Sequence, residues 1–161
     1  MTLFFILKFL HIMGAAVLMG TGAGIAFFML MAHRTGDPRL IAGVARIVVI
    51  ADYAFTATAV VAQPVTGLWL AHEAGYGLGQ GWIVLSIILY LVTGAFWLPV
   101  VWVQAQLKRI AQQAADWGEP LPTRYHRLFR IWFWFGFPAF ASVAGIFWLM
   151  ITRPQFSLWP L

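Results

Sequence analysis

The chain has 161 residues, 62% of them hydrophobic and 9% charged, with a mean hydropathy of +0.85. Water-soluble domains hold about 45–50% apolar and about 25% charged residues, so the composition places this chain in the membrane class. Ten Lys and Arg against five Asp and Glu give a net charge of +5; the absence of cysteine excludes disulfides, thiolate metal sites, iron–sulfur ligation and covalent haem attachment.

Crossing the hydrocarbon layer takes roughly 20 apolar residues per helix, and four stretches qualify: about 3–32, 47–71, 82–104 and 128–152. None alternates with the period of a strand, and backbone groups in lipid must be satisfied internally, so these read as helices. The expectation is an all-α polytopic membrane protein, a four-transmembrane-helix bundle forming a single domain over 1–161.

The first stretch superficially resembles a signal peptide, but Lys8 lies inside the apolar run instead of before it, so it reads as helix one. Within it stands His11, an ionisable ring that needs a hydrogen-bond partner, a metal or a water-lined cavity once it leaves water. Gly14 and Ala15, three and four residues on, share its face. Their small side chains leave room beside the imidazole for a neighbouring helix or for a flat cofactor. Gly20 and Gly24 stand in GxxxG spacing, which favours close helix packing.

Helix two carries a polar stripe at steps of four, three, four and three: Asp52, Thr56, Ala59, Gln63 and Thr66. Such residues share a face and should turn away from lipid. Asp52 lies near the basic end of its helix and is expected to pair with Arg46 or a cation of the third connection; the alternative is a proton or substrate site. Pro64 should kink the helix. His72, at the far end, could supply a second ligand, although an ideal helix turns it about opposite Gln63.

Helix three bears a second stripe, Ser86, Tyr90, Thr93 and Trp97, and contains Pro99. Counted at about 1.5 Å per residue, His11, Gln63 and Tyr90 fall at similar depth and form the expected cluster. The polar run Gln104 to Trp117 continues this helix beyond the membrane until Gly118, Pro120 and Pro122 turn the chain. Helix four contains Pro138 and offers Ala141 and Gly145 as a further small-residue pair.

The first connection carries Arg34, Arg39 and Arg46, and the third Lys108, Arg109, Arg124, Arg127 and Arg130. The second has no Lys or Arg, only His72 and Glu73. The positive-inside rule then makes the first and third cytoplasmic and both termini periplasmic, with Lys8 and Arg153 snorkelling to the outer headgroups. Trp69, Trp82, Trp148, Phe156 and Trp159 on one side, and Trp132-Phe133-Trp134-Phe135 on the other, read as interface anchors. His33 and His126 are expected at the cytoplasmic surface, in solvent. The basic connections imply bilayer contact and not nucleic-acid binding.

Lys8-Phe9-Leu10-His11, Gly67-Leu68-Trp69, Ala32-His33-Arg34-Thr35-Gly36-Asp37, Gln63-Pro64, Trp97-Leu98-Pro99-Val100-Val101-Trp102, Phe147-Trp148-Leu149-Met150 and Arg153-Pro154 together resemble a family of small bacterial four-helix proteins known as predicted integral membrane proteins. The layout also resembles, more distantly, HemJ-type protoporphyrinogen oxidase, a four-helix protein with Lys-x-x-His in its first helix and bound haem b. Lys8 and His11 match that motif. The basic residue that family places in helix three has no counterpart after Trp82, so the resemblance bears on haem more than on the oxidase reaction.

Three functions follow as expectations. The first is a haem b-binding redox or electron-transfer protein of the bacterial inner membrane. Its iron would be held by His11, with His72 as a second metal ligand and Gly14, Gln63 and Tyr90 lining the cofactor; a quinone or partner redox protein would exchange electrons with it. The second is a cofactor-free membrane subunit or scaffold that docks a partner protein, or assembles as an oligomer. The third is a metal-ion conduit using His11, Met13 and Met19. No GxSxG, HExxH or Walker motif is present, so no hydrolytic reaction is implied.

Overall fold

The computed structural model describes residues 2–156. Helix α1 (Thr2–Thr35) leads through Gly36 and Asp37 into α2 (Pro38–Ala51), which passes through a five-residue π segment (Asp52–Thr56) into α3 (Ala57–Glu73). A short connection precedes α4 (Gly81–Trp117), and Gly118 to Pro122 lead into α5 (Thr123–Thr152). The described residues contain no strand. The run Pro38–Glu73 counts as one span, so four apolar helical runs cross the membrane.

These helices are longer than the hydropathy pattern implies. The second begins at Pro38 instead of 47, and the last at Thr123 instead of 128. The cause is amphipathic sequence beyond the apolar stretches. Asp37 caps α2 by accepting from the Arg39 N–H at 2.9 Å, and Pro38 fits the first turn because it has no N–H to leave unpaired. Ile41, Ala42, Ala45 and Val48 then bury one stripe while Arg39, Gly43 and Arg46 stay exposed. In α5, Tyr125, Phe129 and Trp132 do the same.

At about 1.5 Å per residue, runs of 30 to 37 residues measure roughly 45–55 Å, against a hydrocarbon core of about 30 Å. The bundle therefore projects past the bilayer. Its main core lies toward the basic end, where Met29 of α1, Ile41 and Ala45 of α2, Leu107 and Ala111 of α4, and Tyr125 and Phe129 of α5 are buried together. Leu107, Ala111, Ala45 and Met29 are fully enclosed.

Two expected interface anchors belong to the interior. Trp132 is 4% exposed and donates from Nε1 to Gln104 Oε1 at 3.1 Å, pinning α5 to α4; Trp82 is 5% exposed and donates to Gln80 at 2.8 Å. Trp69, Trp134 and Trp148 are exposed, as anchors should be, and Trp159 lies outside the described residues. His33 is not solvated either. Its ring stacks on Phe129, with centroids 3.6 Å apart and planes 10° from parallel, whereas His126 is exposed. Arg153 turns back from the end of α5 to donate to the Tyr76 hydroxyl at 2.5 Å, at the non-basic end of the bundle.

Candidate functional site

The apolar half of α1 crosses α3 at His11, and two glycines set how closely. A Cβ at Gly14 would collide with the Gln63 amide, and one at Gly67 would stand 2.9 Å from His11 Cε1. Each glycine thus accepts a polar side chain of the facing helix. By contrast, Gly20 meets nothing within 4 Å and Gly24 only Phe28 of its own helix, so their spacing joins no helices among the described residues. Gly145 does pack tightly, since a Cβ there would stand 3.1 Å from Leu89 of α4.

At the crossing, the Gln63 amide donates from Nε2 to the His11 carbonyl at 2.9 Å, and His11 Nδ1 lies 3.0 Å from Thr66 Oγ1. Thr66 Oγ1 also lies 2.7 Å from the Ala62 carbonyl. A carbonyl only accepts, and a hydroxyl has one proton, so that proton goes to Ala62 and the Thr66 oxygen accepts from His11 Nδ1–H. His11 therefore carries a proton on Nδ1, and in the neutral ring the Nε2 lone pair is left free. Nε2 has no hydrogen-bond partner among the described residues.

The polar stripe of α3 faces inward. Asp52, Thr56 and Ala59 are buried, and Gln63 and Thr66 half-buried. The stripe of α4 meets it through two aromatic side chains. Trp97 donates from Nε1 to Asp52 Oδ1 at 3.4 Å, a long contact, and the Tyr90 hydroxyl donates to the Val60 carbonyl at 2.5 Å. Val60 stands four residues before Pro64, which has no N–H to give it. Tyr90 therefore satisfies a carbonyl that the proline leaves orphaned.

Several expectations need correction. Tyr90 lies at the expected depth but serves Val60, one turn along α3, and makes no polar contact with His11. The space beside His11 at Gly14 is filled by Gln63, not left for a flat cofactor. His72 is exposed on the last turn of α3, six residues past Thr66, which is about 9 Å along the axis and about 120° around it. It does not converge on His11. Asp52 meets Trp97 and, among the described residues, no cation; Arg46 lines a groove with Lys108 and Arg109 instead. No group of three or more His, Cys, Asp or Glu that could hold a metal ion exists among the described residues. Two residues that the sequence leaves out of the site belong to it. Thr66 and Gly67 stand three and four positions after Gln63, a spacing that puts them on the face that meets His11.

A family model described as predicted integral membrane protein, DUF2269, matches residues 5–154. The chain belongs to this family. The DUF2269 match begins before His11, ends after Arg153 and takes in both sides of the α1–α3 crossing. Comparison with curated proteins and with solved structures gives no match.

Proposed function

We propose that this DUF2269 protein is a haem b-binding redox protein of the bacterial inner membrane, with His11 as axial ligand. The observation that carries the reading is the hydrogen bond from His11 Nδ1 to Thr66. Metal-ligating histidines characteristically donate one ring N–H to an oxygen acceptor and present the other nitrogen to the metal, and His11 has that arrangement through Thr66. The donor set fits one axial ligand. It does not supply a second from His72, and Gly14 offers no cradle. Haem so held would supply one-electron transfer, with a quinone or a partner redox protein as the other party. The basic end of the bundle would face the cytoplasm and both termini the periplasm. Reporter fusions after Glu119 and at Gly77 test that orientation, reading cytoplasmic and periplasmic respectively.

The test of the haem reading is the absorption spectrum of protein purified from cells supplied with haem. A Soret band and a reduced α-band are expected, lost or shifted in His11→Ala. Alanine removes the ligating nitrogen at no cost in helix propensity, so the bundle should still form. A colourless wild-type protein would overturn the reading.

A second reading, a cofactor-free membrane scaffold, is favoured by a specific observation. Gln63, Thr66 and Tyr90 each spend a polar group on the opposite helix, so the network accounts for itself as interhelical adhesion. The same spectrum separates the two.

A further inference from the structure

On the outer surface of α2 and α4, toward the basic end, a groove of about 530 Å³ is lined by Arg46 from α2 and by Gln106, Lys108, Arg109, Gln112 and Gln113 from α4. Three cations converge there, and the lining contains no acidic residue. Among the described residues, the one carboxylate that a lining residue reaches is Asp116, which accepts from Gln112 at 2.8 Å. Arg109 donates from Nη2 to Gln106 Oε1 at 2.6 Å, which holds its guanidinium in place. Like charges brought together without a counter-charge call for an anion.

The position of the groove along the bundle says which anion. On α2 the exposed residues just beyond Arg46 are Ile47 and Ile50, 67% and 59% exposed; on α4 the exposed residue just before Gln106 is Trp102, at 59%. On both helices exposed apolar side chains border the groove's cations and amides on the side away from the basic end. A tryptophan at such a boundary marks the headgroup layer. An occupant seated here has phosphate chemistry at the groove and hydrocarbon alongside Ile47, Ile50 and Trp102.

We propose that this groove is a binding site for the phosphate of an anionic phospholipid. Arg46 and Arg109 supply planar guanidinium donors and Lys108 a point charge, and the glutamine amides offer neutral donors to the remaining headgroup oxygens. The site does not depend on haem binding and holds whichever functional reading is right.

The experiment compares phosphatidylglycerol, phosphatidylcholine and inorganic phosphate as additives to the whole protein in neutral detergent. Thermal unfolding gives the midpoint, and native mass spectrometry counts retained lipid. Phosphatidylglycerol should raise the midpoint and remain bound, while phosphatidylcholine and inorganic phosphate should do neither. The triple variant Arg46→Gln, Lys108→Gln, Arg109→Gln should weaken phosphatidylglycerol binding on the order of 100-fold. A matched-charge control, Arg124→Gln, Arg127→Gln, Arg130→Gln, should keep it within about threefold. Arg109→Gln alone, at an exposed position, should cost about fivefold and serves if the triple variant does not fold. Equal losses in the two triple variants would reduce the effect to diffuse basic charge and overturn the site. A stabilisation by inorganic phosphate as large as that by phosphatidylglycerol would overturn the lipid assignment, as would no preference for phosphatidylglycerol over phosphatidylcholine.

Discussion

His11 of α1 donates from Nδ1 to the hydroxyl of Thr66 on α3, 3.0 Å away, while that hydroxyl spends its own proton on the Ala62 carbonyl. The direction of this bond puts a proton on Nδ1, so that in the neutral ring Nε2 is the acceptor. It also makes Thr66, not Gln63, the residue that governs the ring, since Gln63 binds only the His11 backbone.

Thr66→Val keeps the branched shape and removes the acceptor. It should lower stability in detergent by about 0.6–1.7 kcal/mol, the range found for interhelical hydrogen bonds in membranes, whereas Thr66→Ser should stay near wild type. In protein carrying haem, Thr66→Val should also shift the reduction potential or the Soret position, because the ligand loses the oxygen that orients it. Unfolding curves and spectra of the three proteins check this. Equal behaviour of Val and Ser variants would contradict the bond itself.

The ring also constrains Gly67. A methyl group there would approach His11 Cε1 to 2.9 Å, so Gly67→Ala should force the imidazole off Thr66 and cost about 1–3 kcal/mol. Gly22→Ala is the control, since nothing lies within 4 Å of that position. Alanine at Gly22 should be neutral or stabilising by up to about 1 kcal/mol from helix propensity alone. Similar losses at both positions, measured by thermal unfolding, would remove the argument from close approach.

What the sequence makes legible follows from what periodicity encodes. Steps of three and four place Asp52, Thr56, Ala59, Gln63 and Thr66 on one face, and that face is the inward one. Depth counting brings Gln63 to His11 correctly. Azimuth across helices is a different matter, because it depends on crossing angles the sequence does not carry. Hence depth alone aims Tyr90 at His11, although Pro64 creates a nearer acceptor at Val60. Gly14 reads as space because a small residue does not say what fills it. The amphipathic starts of α2 and α5 escape a search for apolar stretches, which passes over turns that bury one stripe and expose cations. Composition makes Trp132 an anchor, whereas Gln104 one helix away gives its N–H a buried partner.

Asp52, 5% exposed, is no ion-pair anchor, despite its place near the basic end, and accepts from Trp97 at 3.4 Å. Asp52→Asn keeps an oxygen for the indole N–H and should change stability by no more than about 0.5 kcal/mol. Asp52→Leu removes that oxygen and should cost about 1–3 kcal/mol by leaving the indole unpaired. A buried ion pair would give a different pattern, a loss of about 3–5 kcal/mol for the Asn variant, because a cation would be stranded. Denaturation of the two variants side by side distinguishes the cases.

Pro64 and Tyr90 form a coupled pair although they do not share a hydrogen bond. The proline withholds the N–H that Val60 would accept within the helix, and the Tyr90 hydroxyl from α4 replaces it at 2.5 Å. Tyr90→Phe should therefore strand the carbonyl and cost about 1–3 kcal/mol in the wild-type background. Pro64→Ala restores the N–H at residue 64, so the helix can satisfy Val60 itself. On that background Tyr90→Phe should cost less than about 0.5 kcal/mol, leaving a coupling energy of about 1–2 kcal/mol in the double-mutant cycle. Strict additivity of the two substitutions would show that the hydroxyl acts elsewhere. A coupling of the expected size would mean that α4 is held against α3 by a bond that exists because of the proline.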